Sequence, residues 1–134
     1  MARPGDSFKI ALKSPHVDWG TTRYTTSRNP RENEAYIPIP ARDAYRLGLK
    51  NKKGAGDRDA FGVTLFYCRS KDGFFNGVLR AQGNQGGDPC YAKQFSADHD
   101  LAALAYWFQH VGAQIGDEVL VTWLTETEIE IELL

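Results

Sequence analysis

The chain has 134 residues, 42% hydrophobic and 25% charged, a composition that suits one compact domain with a single core and excludes a low-complexity or disordered chain. The formal charge of −1 conceals a partition: residues 1–95 hold all 16 Lys and Arg against 9 acids, whereas 96–134 hold 8 acids and no base. A polyanion responds to local surface potential rather than net charge, so a nucleic-acid partner stays open, while the apolar runs are too short to span a bilayer and Met1–Gly5 leads into no signal segment, so a soluble intracellular chain is expected.

Phe8, Ile10 and Leu12 alternate with polar or small residues, the period of a half-buried strand. Residues 13–35 are polar and arginine-bearing without apolar periodicity, and read as a loop or arm. Tyr36-Ile-Pro-Ile-Pro40 reads as a short edge strand, because Pro38 cannot donate to a central ladder. Pro40 can open a helix over 41–47, which Gly48 ends. Residues 50–59, charged and glycine-containing, are expected to form a mobile connection.

Phe61–Cys68 and Phe74–Ala81 read as paired strands around Ser70-Lys-Asp-Gly73, where Asp-Gly signals a hairpin. Gly83-Asn-Gln-Gly-Gly-Asp-Pro89 makes a second turn before a strand over 91–95, giving an antiparallel meander. Leu101, Leu104, Ala105, Phe108 and Val111 recur at helical spacing; Asp98 and Asp100 suit that helix's start and Gly112 its end. Val119, Val121 and Trp123, then Ile129, Ile131 and Leu133, alternate as a closing hairpin. Seven strands and two short helices point to a mostly β architecture, with a closed or half-closed barrel disposing of the sheet edges.

Catalytic and metal signatures are sparse. Cys68 and Cys90 are isolated and read as reduced small hydrophobes, and His16, His99 and His110 share no ligand spacing, so neither metal nor cofactor is expected. No Glu is followed two positions later by Lys, as a common metal-dependent nuclease site wants, and no His is so followed either. Nucleophile-elbow and Walker motifs are missing too. The chain reads as a non-enzyme with no catalytic residues, and a nuclease with a dispersed metal site and a small-ligand or protein-interaction barrel stand as alternatives.

Two polar segments carry the chemistry that remains. Residues 13–34 hold Arg23, Arg28 and Arg31 beside Asn33 and several threonines. Residues 80–94 hold Arg80, Gln82, Asn84, Gln85 and Lys93 around a glycine-rich turn that lets backbone approach a duplex closely. Arginine pairs bidentately with guanine, Asn or Gln with adenine, and hydroxyls with phosphate or base edges. Each segment alone could be a solvated loop. Trp19 reads first as a packing anchor, and Glu128, Glu130 and Glu132 as the solvated face of a terminal strand that would repel DNA and help orient it.

The order of these elements, with Leu101-Ala-Ala-Leu-Ala-Tyr-Trp-Phe108 and Gly116-Asp-Glu-Val119, resembles the B3-type DNA-binding domain, a seven-stranded pseudobarrel with two helices found in plant transcription factors and bacterial restriction endonucleases. Asp18-Trp-Gly20 and Arg31-Glu-Asn-Glu-Ala-Tyr-Ile-Pro-Ile-Pro40 look closer to the restriction-enzyme branch, the EcoRII-like effector domain and NgoFVII-like C-terminal domain. The resemblance covers nearly the whole chain and implies a single domain over 1–134 that grips the major groove with two loops, an N-arm over about 13–34 and a C-arm over about 80–94. It implies double-stranded DNA with a short specific site as partner, a monomer as an isolated domain, bacterial cytoplasm, and a linked nuclease domain elsewhere. On that reading Arg23, Arg28, Arg31, Asn33, Arg80, Gln82, Asn84 and Gln85 read bases, and Lys13, Thr21, Thr22, Arg69, Lys71 and Lys93 hold phosphates.

Overall fold

A computed structural model describes residues 2–13, 35–100 and 102–134. Seven strands make one sheet: β1 (Ser7–Ala11), β2 (Ile37–Pro38), β3 (Leu65–Ser70), β4 (Asn76–Gln82), β5 (Gln94–Ala97), β6 (Glu118–Trp123) and β7 (Glu128–Leu133). Helix α1 (Ala41–Leu47) follows β2, and α2 (Ala103–Val111) follows β5. The strand order is β1-β6-β7-β3-β4-β5-β2, with β2 at an edge, where Pro38 is tolerated.

The sheet is rolled. Laid flat, β1 and β5 would lie about 24 Å apart at the usual strand spacing, yet the rings of Phe8 on β1 and Phe95 on β5 have centroids 6.5 Å apart. Phe66 contacts Phe95 and Trp123 edge-on at 5.6 and 5.8 Å, and Phe8 meets Trp123 at 6.1 Å. Four strands thus contribute rings to one interior cluster. Alternate residues of β6 and β7 complete it, Val119, Val121, Ile129 and Ile131 being buried, so the period-two pattern of the sequence is the inward face of a rolled sheet. This is the mostly β, seven-stranded pseudobarrel with two short helices that the sequence predicts.

The helices stop where expected. Gly48 and Gly112 take left-handed conformations, φ 66° and 69°, which glycine adopts without a Cβ penalty. Helix α1 is tied to β1 by Arg46, whose Nη2 donates to Ser7 O at 2.9 Å. Helix α2 is tied to the β3–β4 hairpin through Trp107: its buried indole Nε1 donates to Asp72 Oδ2 at 2.9 Å. The other carboxylate oxygen of Asp72 accepts from Ser70 Oγ and from the Phe74 N–H at 2.7 and 2.8 Å. Burial alone would raise the Asp72 carboxyl, but these hydrogen bonds outweigh it and hold it below the ordinary carboxylate value.

Several boundaries and one pairing differ from expectation. Strands β3, β4 and β5 lie two to four residues later at their starts than the apolar runs suggest. Phe61–Thr64 instead closes a turn, with Gly62 at φ 90° and the buried Thr64 Oγ1 accepting from the Ala60 N–H at 2.9 Å. Phe74 belongs to the hairpin, stacked on His110 at 4.0 Å. Helix α2 begins at Ala103 rather than near Asp98, because the Asp98 N–H still extends the ladder to Val78 O at 2.8 Å and the Asp98 carboxylate is engaged by Arg80. The last strand, besides closing a hairpin with β6, pairs in parallel with β3, Tyr67 opposite Glu128 and Ser70 opposite Ile131. A parallel partner so distant in sequence leaves no local signature.

Candidate nucleic-acid interface

The loop from β4 to β5 is a built structure. Gly83 turns it at φ 77°, the Gln85 N–H donates to Tyr91 O at 3.0 Å, and the Asp88 N–H closes a tight turn onto Gln85 O at 3.1 Å. Its floor is the segment the sequence suggests is mobile. Asn51, only 7% exposed, donates from Nδ2 to Gly83 O at 2.8 Å and Pro89 O at 2.7 Å, and its Oδ1 accepts the Gly54 N–H at 2.8 Å. The Asn51 N–H reaches Cys90 O at 3.2 Å and the Ala92 N–H reaches Leu49 O at 2.9 Å. Gly54 presses so closely on Cys90 that a Cβ there would fall 2.1 Å from its carbonyl oxygen. One side chain therefore satisfies both ends of the loop and its support, which explains why residues 50–58 are held in place although rich in charge and glycine.

The expected base-reading residues of this loop meet different fates. Arg80 is enclosed: Nη1 and Nη2 donate to Asp59 at 2.6 and 3.2 Å, and Nε donates to Asp98 Oδ1 at 3.0 Å. The Arg80 hydrogen bond first, then its charge, holds Asp59 below the ordinary carboxylate value despite desolvation; the two carboxylates in turn push the guanidinium up. A bidentate base contact from Arg80 would require releasing Asp59 for the Nη pair, or both carboxylates for Nε with Nη2. Gln85 points beneath the loop, its Nε2 donating to Ile39 O and Ala92 O at 2.8 and 3.0 Å. The Asn84 amide lies against the Asn51 amide at 3.0 Å, although the residue as a whole is exposed. Gln82 is half-buried at the end of β4, and the stem of Lys93 crosses Gly83, whose Cβ would lie 2.8 Å from Lys93 Cγ.

The expected phosphate contacts on β3 and the hairpin lie elsewhere. Leu65 pairs with Arg80 and Arg69 with Asn76, so Arg69 and Lys71 stand at the opposite end of the β3–β4 pair from the loop, about 15 Å along the strands. Arg69 lies 3.7 Å from Glu130 and Lys71 3.3 Å from Glu132. The glutamate row thus faces cations of the neighbouring strand, a contact that the parallel β3–β7 register creates and that no local spacing reveals. Strands β1 and β2, which flank residues 13–34 in sequence, are the two ends of the order, and β2 pairs with β5 at the root of the β4–β5 loop. Lys13 is exposed; Thr21, Thr22, Arg23, Arg28, Arg31 and Asn33, with Trp19, lie outside the described residues.

What sequence reasoning missed is Asn51. Its type and position carry no pattern, and only a structure shows two carbonyls converging on it. Among the described residues no group of three His, Cys, Asp or Glu could hold a metal ion, and no helix is long and apolar enough to cross a membrane. Cys68 and Cys90 are both free.

The fold defines a mostly β, rolled seven-stranded mixed sheet with two short helices. No family model matches the sequence, and no curated protein matches it. Among solved structures the chain is similar to one described as the Arabidopsis FUS3-DNA complex, at 16% identity and a TM-score of 0.47, over 94% of this chain and 93% of the other.

Proposed function

We propose that this protein recognises a short specific site in double-stranded DNA, as the B3-like features of its sequence imply. The observation that carries the reading is the β4–β5 loop. It is a polar, glycine-containing loop fixed by Asn51 and Gly54 and by the bond of its own Gln85 to Ile39 O, and it carries Gln82, Asn84 and Lys93. Fixing backbone before binding reduces the ordering cost of recognition, and a rigid loop can present donors and acceptors to base edges in the major groove. Residues 13–34 would supply the second arm, with Arg23, Arg28, Arg31 and Asn33 on bases and Thr21, Thr22 and Lys13 on the backbone. The acids of β7, partnered by Arg69 and Lys71, would face away from the duplex.

The finer setting we propose is the target-recognition or effector-binding part of a cytoplasmic restriction endonuclease, which rests on the likeness of residues 18–20 and 31–40 to that branch. An electrophoretic competition assay tests the binding function. The protein should shift a selected duplex and lose it to unlabelled specific competitor well before scrambled competitor; equal loss to both refutes sequence recognition. Magnesium-dependent cleavage of that duplex by the chain alone would favour a nuclease instead.

A further inference from the structure

We infer that the segment under the β4–β5 loop is itself a phosphate-binding ledge, with Lys52, Lys53 and Arg58 as its contacts. This rests on the DNA-binding reading and adds a third contributor to it, beyond the two polar arms. Residues 51–57 fold into helical turns: the Ala55 N–H donates to Asn51 O and Lys52 O at 3.1 Å each, the Gly56 N–H to Lys53 O at 3.2 Å, and the Asp57 N–H to Lys52 O at 2.9 Å. Lys52, Lys53 and Arg58 are exposed, and Lys53 and Arg58 form no ion pair among the described residues. Lys50 rests over the Tyr91 ring at 5.8 Å, adding a fourth positive charge where the segment meets the loop.

Two acids lie in the same stretch. Asp59 is bound to Arg80, so its charge is answered within the fold although Lys52 also influences it. Asp57, exposed at φ 63°, and Asp88 of the adjoining loop, whose carboxylate accepts the Cys90 N–H at 3.0 Å, stand against Lys50, Lys52, Lys53 and Arg58, so cations still outnumber acids on this surface. The ledge is joined to the loop by the Asn51 and Gly54 contacts, so a strand gripped by the loop would pass these cations with little further ordering. Arg69 and Lys71 have the opposite circumstances: each faces a glutamate, at the far end of the strand pair.

The test is the salt dependence of duplex binding. Each phosphate contact adds about 0.9 to the slope of log K against log salt. The triple variant Lys52→Ala, Lys53→Ala, Arg58→Ala should therefore lower that slope by about 2 to 3. It should weaken specific and scrambled duplexes by the same factor, on the order of tenfold or more at low salt, with an unchanged melting temperature. Arg69→Ala with Lys71→Ala should leave the slope in place. If wild-type protein binds the duplex and the triple variant keeps the full slope, the ledge is wrong while DNA binding stands. A wild-type protein that shifts no duplex at any salt overturns both.

Discussion

Replacing Asn51 with alanine removes three hydrogen bonds at once, those to Gly83 O, Pro89 O and from the Gly54 N–H. A typical intramolecular hydrogen bond contributes about 1 kcal/mol net, and a buried group left without a partner costs about 1 to 3 kcal/mol. Asn51 is nearly inaccessible, but the carbonyls lie under a surface loop that water can enter once the amide is gone. The expected loss is therefore about 2 to 4 kcal/mol rather than the sum of three full penalties. Urea unfolding of the Asn51→Ala variant measures it. Duplex affinity should fall together with stability, because the loop loses its floor, and amide exchange should quicken at Ala92 and Gly54. Asn51→Asp keeps the shape and the Gly54 acceptor but loses both donations to carbonyl oxygens, so it should cost at least as much. A change below about 0.5 kcal/mol for the alanine variant, with unchanged exchange at Ala92, would refute the view that Asn51 holds the loop.

Other expectations draw on different contacts. Gly54→Ala places a Cβ against the Cys90 carbonyl and should displace the loop, weakening DNA binding by at least tenfold, or about 1.4 kcal/mol, in a titration; recovery of full affinity would contradict the close packing. Asp72→Ala leaves the buried Trp107 indole without its acceptor and should cost about 1 to 3 kcal/mol by urea unfolding. Because the Asp72 carboxyl is held below the unfolded value of 3.8, its stabilisation is present above that pH and is lost as pH falls through the lower folded value. The gap between wild type and Asp72→Ala should narrow below about pH 4; a gap that widens there would show the carboxylate is not the stabilising form. Burial pushes the Cys68 thiol far above its ordinary value, so iodoacetamide at neutral pH should label half-buried Cys90 before Cys68, as peptide mapping would show.

The strand pattern was legible because burial alternates along β1, β3, β6 and β7. Phe8, Val119, Val121, Ile129 and Ile131 announce themselves by period two, and Gly48 and Gly112 by their place after apolar helical faces. Boundaries were harder, since Phe61 and Phe74 are apolar and look like strand residues. The structure uses them on the surface instead, Phe61 stacked on Tyr67 at 4.4 Å and Phe74 on His110. Long-range partnerships left no trace: the β3–β7 pairing, the Arg80 clamp by Asp59 and Asp98, and the convergence of loop carbonyls on Asn51 join residues 18 to 61 positions apart. Residue type marked the β4–β5 loop as a polar turn, with Gly83 at positive φ. It could not distinguish a glutamine facing a groove from Gln85, which faces Ile39 and Ala92.

The loop and the arm are proposed to read base sequence in duplex DNA. Selection of bound molecules from a random double-stranded pool, repeated at low and at physiological salt, tests this most directly. One short motif should be enriched at both salts, with total binding falling steeply as salt rises. Recovery of no motif at either salt, or retention of single-stranded contaminants in preference to duplex, would contradict it.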